Sequence, residues 1–98
     1  MSWLTPSIVI DVPVTYELEQ NYPNPFNPST TIRYSVPWSG PVTITIFDLV
    51  GREVETLFEG ERSPGTYDVM WSAANEPSGL YFYRLQAGDF EETKSMLL

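Results

Sequence analysis

Apolar residues in this chain recur at every second position, and that period limits the folds open to it. The clearest run is "VTITIFD", where Val42, Ile44 and Ile46 face one side and Thr43 and Thr45 the other. "TTIRYSV", Thr30 to Val36, places Ile32, Tyr34 and Val36 on one face, and "TYDVMW" does the same for Tyr67, Val69 and Trp71. In "LYFYRLQ", Tyr81, Tyr83 and Leu85 oppose Leu80, Phe82 and Arg84. "FEETKSMLL" closes the chain as a last strand. No stretch carries a helical stripe of useful length, and no internal repeat is visible.

Turn residues stand between these runs. "PWSGP" carries Gly40 and Pro41, and "DLVG" before "REVETLF" reads as a hairpin with Gly51 at a position needing positive φ. "GERSPGT" and "SAANEPSG" read as loops, the second ending at Gly79, and "AGD" turns the chain at Gly88. Alternation breaks at Leu57-Phe58, which predicts a bulge or a strand end there. About seven short strands at roughly ten-residue spacing predict an all-β fold, an immunoglobulin-like antiparallel β-sandwich. The hairpin partners are 42–48 with 52–58, and 80–87 with 90–97. Upstream, Ile8, Ile10, Val12, Val14, Tyr16 and Leu18 alternate with mostly polar residues, and Pro13 makes that run an edge strand or an extended lead-in.

One segment breaks the pattern. "QNYPNPFNPSTT", Gln20 to Thr31, holds Pro23, Pro25 and Pro28 with Tyr22 and Phe26 among them. Each proline fixes its own φ and lacks an N–H, and each restricts the residue before it, here Tyr22, Asn24 and Asn27. The segment is therefore expected as a stiff, kinked ribbon along the surface or an edge of the domain. Asn24 and Asn27 are expected to fold onto the backbone two residues on, and Tyr22 and Phe26 to anchor the ribbon on the sandwich. It would serve as a clamp that blunts a sheet edge or as a recognition handle.

Composition then narrows function. The chain has 98 residues, which fits one domain, and 42% of them are hydrophobic, including three Trp, six Tyr and five Phe. It has neither cysteine nor histidine, so disulfides, thiol nucleophiles, thiolate zinc sites and a Ser-His-Asp triad are excluded. Thirteen acids against five bases give a net charge of −8, which repels nucleic acid and anionic membrane surfaces. No apolar run approaches the ~20 residues of a membrane-spanning helix, so no membrane insertion is expected. No signal peptide is visible at the N-terminus, and Met1 followed by Ser-Trp-Leu-Thr-Pro reads as the start of a module cut from a longer protein.

Individual side chains offer little chemistry. Glu53, Glu55, Glu59, Glu61 and Asp68 could form an acid–base pair, but Glu53 and Glu55 alternate as on a solvated strand face. Asp48, Asp68, Glu76 and Asp89 could offer oxygen to calcium, but they show no clustered calcium motif. Trp38, in a turn, and Trp3 are candidate sugar-stacking platforms, whereas Trp71 ends an apolar strand and belongs to the core. No catalytic, cofactor or metal residue is assigned, and no cofactor is expected.

Read in order, "YELEQNYPNPFNPSTTIRYSVP", "VTITIFDLVGREVETL", "GTYDVMW", "PSGLYFYRLQAGDF" and "TKSMLL" resemble a known family over residues 16–98. It is the C-terminal sorting domain of the type IX (Por) secretion system, in an immunoglobulin-like form similar to the Ig-like domain of the flagellar hook-capping protein. The resemblance implies a seven-stranded sandwich; the absence of catalytic groups fits a non-enzymatic module, and a monomer is expected. Residues 1–15 would be a linker tail from a covalently continuous passenger, often a secreted hydrolase. The expected partners are an outer-membrane translocon and a sortase-like peptidase, and the expected route is export through the periplasm to the cell surface or medium. By motif, the family signature falls on Asn21, Pro23, Asn24, Pro25, Phe26, Asn27 and Pro28. Gly51 with Arg52 and Glu53, and Gly79 with Tyr81 and Tyr83, match two further motifs; Gly51, Gly79 and Gly88 are expected as structural turns. The candidate contact for secretion machinery is the last strand, Lys94, Ser95, Met96, Leu97 and Leu98, read by strand addition or end capture. A structural Ig-like scaffold or spacer, and a carbohydrate-binding module on a glycosidase, are the alternative functions.

Overall fold

A computed structural model describes residues 13–98. Seven strands follow in chain order: β1 Glu17–Leu18, β2 Ser29–Val36, β3 Gly40–Phe47, β4 Glu53–Arg62, β5 Gly65–Ser72, β6 Leu80–Ala87 and β7 Phe90–Leu97. They form two antiparallel sheets, β1-β2-β5 and β4-β3-β6-β7. The two predicted hairpins are present, with β4 beside β3 and β7 beside β6. The fourth strand lies with β3 rather than with β5, so the sheets hold three and four strands instead of the four and three of an immunoglobulin constant domain.

The inward positions read from the sequence make the core. Ile32, Tyr34 and Val36 of β2 face Ile44 and Ile46 of β3 and Tyr83 and Leu85 of β6, all with no exposed surface. Trp71 and Tyr81 meet edge-on with ring centroids 5.2 Å apart. Thr45, expected outside, is also buried. The irregularity at Leu57-Phe58 is a bulge: Ile44 pairs with Phe58 and Thr45 with Thr56, which leaves Leu57 as the extra residue.

One reading needs correction. The loop expected over "GERSPGT" shrinks to Ser63 and Pro64, because β4 runs on to Arg62 and β5 starts at Gly65. Arg62 accounts for the extension: its guanidinium lies 3.9 Å from the Phe58 ring centroid and 4.5 Å from that of Tyr67, so packing orders backbone that composition marks as loop. Among the described residues, the N-terminal run forms the edge strand β1 at Glu17–Leu18. Val14 is exposed, Tyr16 stacks on Phe90 at 4.9 Å, and Leu18 is buried. Ile8, Ile10, Val12 and Trp3 lie outside the described residues.

Candidate functional site

The proline segment and the last strand, which the sequence presents as separate candidates, are joined. From β1 the chain runs on beside β2: Glu19 N–H donates to Arg33 C=O at 2.9 Å, and Tyr22 and Thr31 exchange backbone bonds at 2.9 and 3.0 Å. The ribbon then leaves its own sheet and crosses to β7 of the other. β7 is an edge strand, and its odd-numbered residues point their backbone groups away from β6. Phe26 N–H donates to Leu97 C=O at 3.1 Å, Leu97 N–H donates to Asn24 Oδ1 at 3.0 Å, and Gln20 Nε2 donates to Ser95 C=O at 2.8 Å. A proline-rich segment cannot offer a regular ladder, so it covers this edge with one backbone amide and two side-chain amides.

Inside the clasp the polar groups are paired. Asn21 is 2% exposed, and its Nδ2 donates to Pro23 C=O and to Thr30 Oγ1 at 3.1 and 3.0 Å. Tyr83 bridges the two sheets: its hydroxyl donates to Glu19 C=O at 2.6 Å and accepts from Asn21 N–H at 2.9 Å. Burial pushes the Tyr83 pKa up to about 12, against the lowering effect of the Asn21 amide.

Phe26 is the anchor of the ribbon, 3% exposed and 5.7 Å from Trp71 between ring centroids. Tyr22, expected as a second anchor, is 81% exposed. Its backbone is fixed by pairing with Thr31, which turns its side chain outward. The asparagine expectation also needs correction. Asn21, not Asn24, folds onto the backbone two residues on, Asn24 reaches the last strand, and Asn27 is exposed. Pro23, Pro25 and Pro28 line the outside of the ribbon, and Pro28 C=O accepts from Ala73 N–H at 2.8 Å.

Within the last strand, Met96 turns inward and is buried, so it positions its neighbours rather than presenting itself. Leu97 is half exposed, Ser95 is exposed, and Lys94 is partly covered, 3.4 Å from Glu92. Leu98 exchanges backbone bonds with Gly79. Gly79 also lines a shallow groove with Leu49, Val50 and Leu80 from the β3–β4 turn and the start of β6. The ribbon, the Gly51 turn, Gly79 and the last residues of β7 therefore gather at one end of the sandwich. Gly88 lies at the far end of the β6–β7 hairpin, about 25 Å along the strand.

All three glycines have positive φ, at 88°, 149° and 58° for Gly51, Gly79 and Gly88. At the Gly51 turn, Asp48 accepts from Val50 N–H, Arg52 N–H and Arg52 Nε, and the Arg52 amide foremost holds its carboxyl below the usual range. Sequence reading missed a second device at this end. The Tyr81 hydroxyl donates to Pro77 C=O four residues upstream, the tyrosine corner of immunoglobulin-like sandwiches; the signal was a tyrosine at the start of β6 shortly after a proline. The acids considered for chemistry are dispersed. Asp68 pairs with Arg33, Asp48 with Arg52, and Glu55 accepts from the Trp71 indole at 3.2 Å. No group of three or more metal-ligating side chains occurs among the described residues. Trp38 is exposed in its turn, as expected.

Fold and clasp together define an immunoglobulin-like module whose terminal strand is held by a ribbon from the opposite sheet. The chain belongs to the family of secretion system C-terminal sorting domains, whose profile matches residues 20–98. The match begins at Gln20, the residue that reaches Ser95, and runs through β7. No curated protein and no solved structure gives a significant match. Membership gives the chain a sorting role in type IX secretion, as part of a protein exported to the cell surface or the extracellular space. The family is a secretion-signal module rather than a catalytic one, and it works with the type IX machinery.

Proposed function

We propose that residues 16–98 act as a sorting signal read in the folded state, with residues 1–15 as the linker to an upstream passenger, a secreted hydrolase. The passenger crosses the outer membrane through the translocon after transit through the periplasm. A sortase-like peptidase then removes the domain and leaves the passenger attached to the cell surface. The module acts as a monomer. Its contact is the end of the last strand, with Lys94, Ser95, Leu97 and Leu98 presented and Met96 holding them in place.

The observation that carries this reading is the clasp of Gln20, Asn24 and Phe26 on Ser95 and Leu97. It ties the most distinctive sequence signature to the strand proposed for recognition, so the strand is presented in one geometry only when the domain is folded. Fusing residues 16–98 behind a periplasm-targeted fluorescent protein in a type IX–competent host tests it. Delivery to the surface or medium is expected, and its loss when residues 89–98 are deleted. Undiminished delivery by the deletion variant overturns the reading.

A further inference from the structure

The ribbon covers only the end of the β7 edge. The outward-pointing N–H groups of Glu91, Thr93 and Ser95, and the C=O groups of Glu91 and Thr93, have no hydrogen-bond partner among the described residues. They form a five-residue stretch of regular strand, about 15 Å long, that ends where the ribbon begins. Unpaired edge groups in this spacing fit another extended backbone.

The charges beside the edge indicate which backbone. Asp89, Glu91 and Glu92 lie along it, and Glu19 stands close enough to share the surroundings of the Tyr83 hydroxyl with Glu92. Against them stand Lys94, engaged by Glu92 at 3.4 Å, and Arg84 of β6, 3.8 Å from Glu91, so the acids keep the majority along this edge. A second copy of the chain would bring a net charge of −8 against −8 across a contact of five residues.

We infer that the β7 edge over residues 91–95 is a docking strip for an extended, basic segment of a partner protein, which adds as a fifth strand to the β4-β3-β6-β7 sheet and stops at the ribbon. The inference rests on the sorting reading and sharpens it. The partner pairs with the backbone upstream of the clasp, while Asn24, Phe26 and Gly79 hold only the backbone of Leu97 and Leu98, which leaves the exposed Leu97 side chain presented beside the strip.

The test uses the whole chain and a synthetic probe, a capped nine-residue peptide alternating lysine with threonine and valine. Saturable amide shifts are expected at Glu91, Thr93 and Ser95 on titration at low salt, with exchange of those three amides slowed at least fivefold. A glutamate-for-lysine version of the peptide produces no such shifts. Thr93→Pro removes one outward N–H at an edge position where proline is tolerated, and should abolish the effect. Glu91→Lys, which disturbs only a surface ion pair, should weaken peptide binding at least fivefold. Shifts that map elsewhere, or that survive both variants, overturn the inference. In the fluorescent fusion, Thr93→Pro should lower delivery at least tenfold with the melting temperature retained. Wild-type delivery with equal Thr93→Pro delivery overturns the docking strip alone, whereas failure of the wild-type domain overturns the sorting reading beneath it.

Discussion

Phe26→Ala is the most informative single perturbation of the fold. The side chain comes from a segment without regular strand structure, yet it is 3% exposed and packs on Trp71, which itself meets Tyr81. Removing the ring loses roughly 2–3 kcal/mol of apolar burial. It also leaves a cavity beneath a ribbon that three prolines keep from collapsing inward, so the total is expected at ~3–5 kcal/mol. With an m-value of about 1.5 kcal/mol/M for a domain of this size, the urea midpoint should fall by about 2–3 M. Equilibrium unfolding followed by tryptophan fluorescence and by far-UV circular dichroism measures it. Tyr22→Ala, four residues earlier and 81% exposed, serves as the control and should change stability by no more than ~0.5 kcal/mol. A loss below ~1 kcal/mol for Phe26→Ala, or equal losses for the two variants, would refute the claim that the ribbon is pinned by one aromatic.

Three further outcomes are expected. Asn24→Ala removes the acceptor for Leu97 N–H, a bond of ~0.5–1.5 kcal/mol, so that amide should exchange about 2–10-fold faster while amides in β2 and β3 stay unchanged; an unchanged Leu97 rate contradicts the clasp. With a folded pKa of about 12 against about 10 unfolded, Tyr83 should contribute stability that is fully present below pH 10 and lost as pH rises through 12. Ultraviolet titration should accordingly show a tyrosine ionising late, and ionisation of all six together near pH 10 would dismiss the Glu19–Tyr83–Asn21 bridge. Gly51→Ala, at φ 88°, should cost about 1–2 kcal/mol by thermal unfolding, whereas no loss would show that the Asp48–Arg52 turn does not require the left-handed conformation.

Legibility in the sequence followed how local each determinant is. Alternation alone identifies the inward faces of β2, β3 and β6, because a strand with one buried face writes its burial at every second residue. The bulge at Leu57 was legible for the same reason, as a break in that period. The placement of Tyr22 outside and Phe26 inside was not. Both are aromatic residues next to prolines, and only the pairing of Tyr22 with Thr31 sets which one turns inward. Arg62, Asn24 and Gln20 escaped for a related reason. Their roles depend on Phe58 and Tyr67, on Leu97 and on Ser95, and for the two amides the partner lies more than seventy residues away in sequence. The Gly51, Gly79 and last-strand motifs could be found singly, but their meeting at one end of the sandwich comes from sheet order.

The central claim is that this sandwich directs export by the type IX route. Its most direct test is delivery of one fluorescent passenger carrying residues 16–98 in two otherwise identical hosts, one with and one without a working type IX translocon. The account predicts surface or extracellular fluorescence in the first and fluorescence retained in the periplasm in the second. Equal distribution in the two hosts would contradict it.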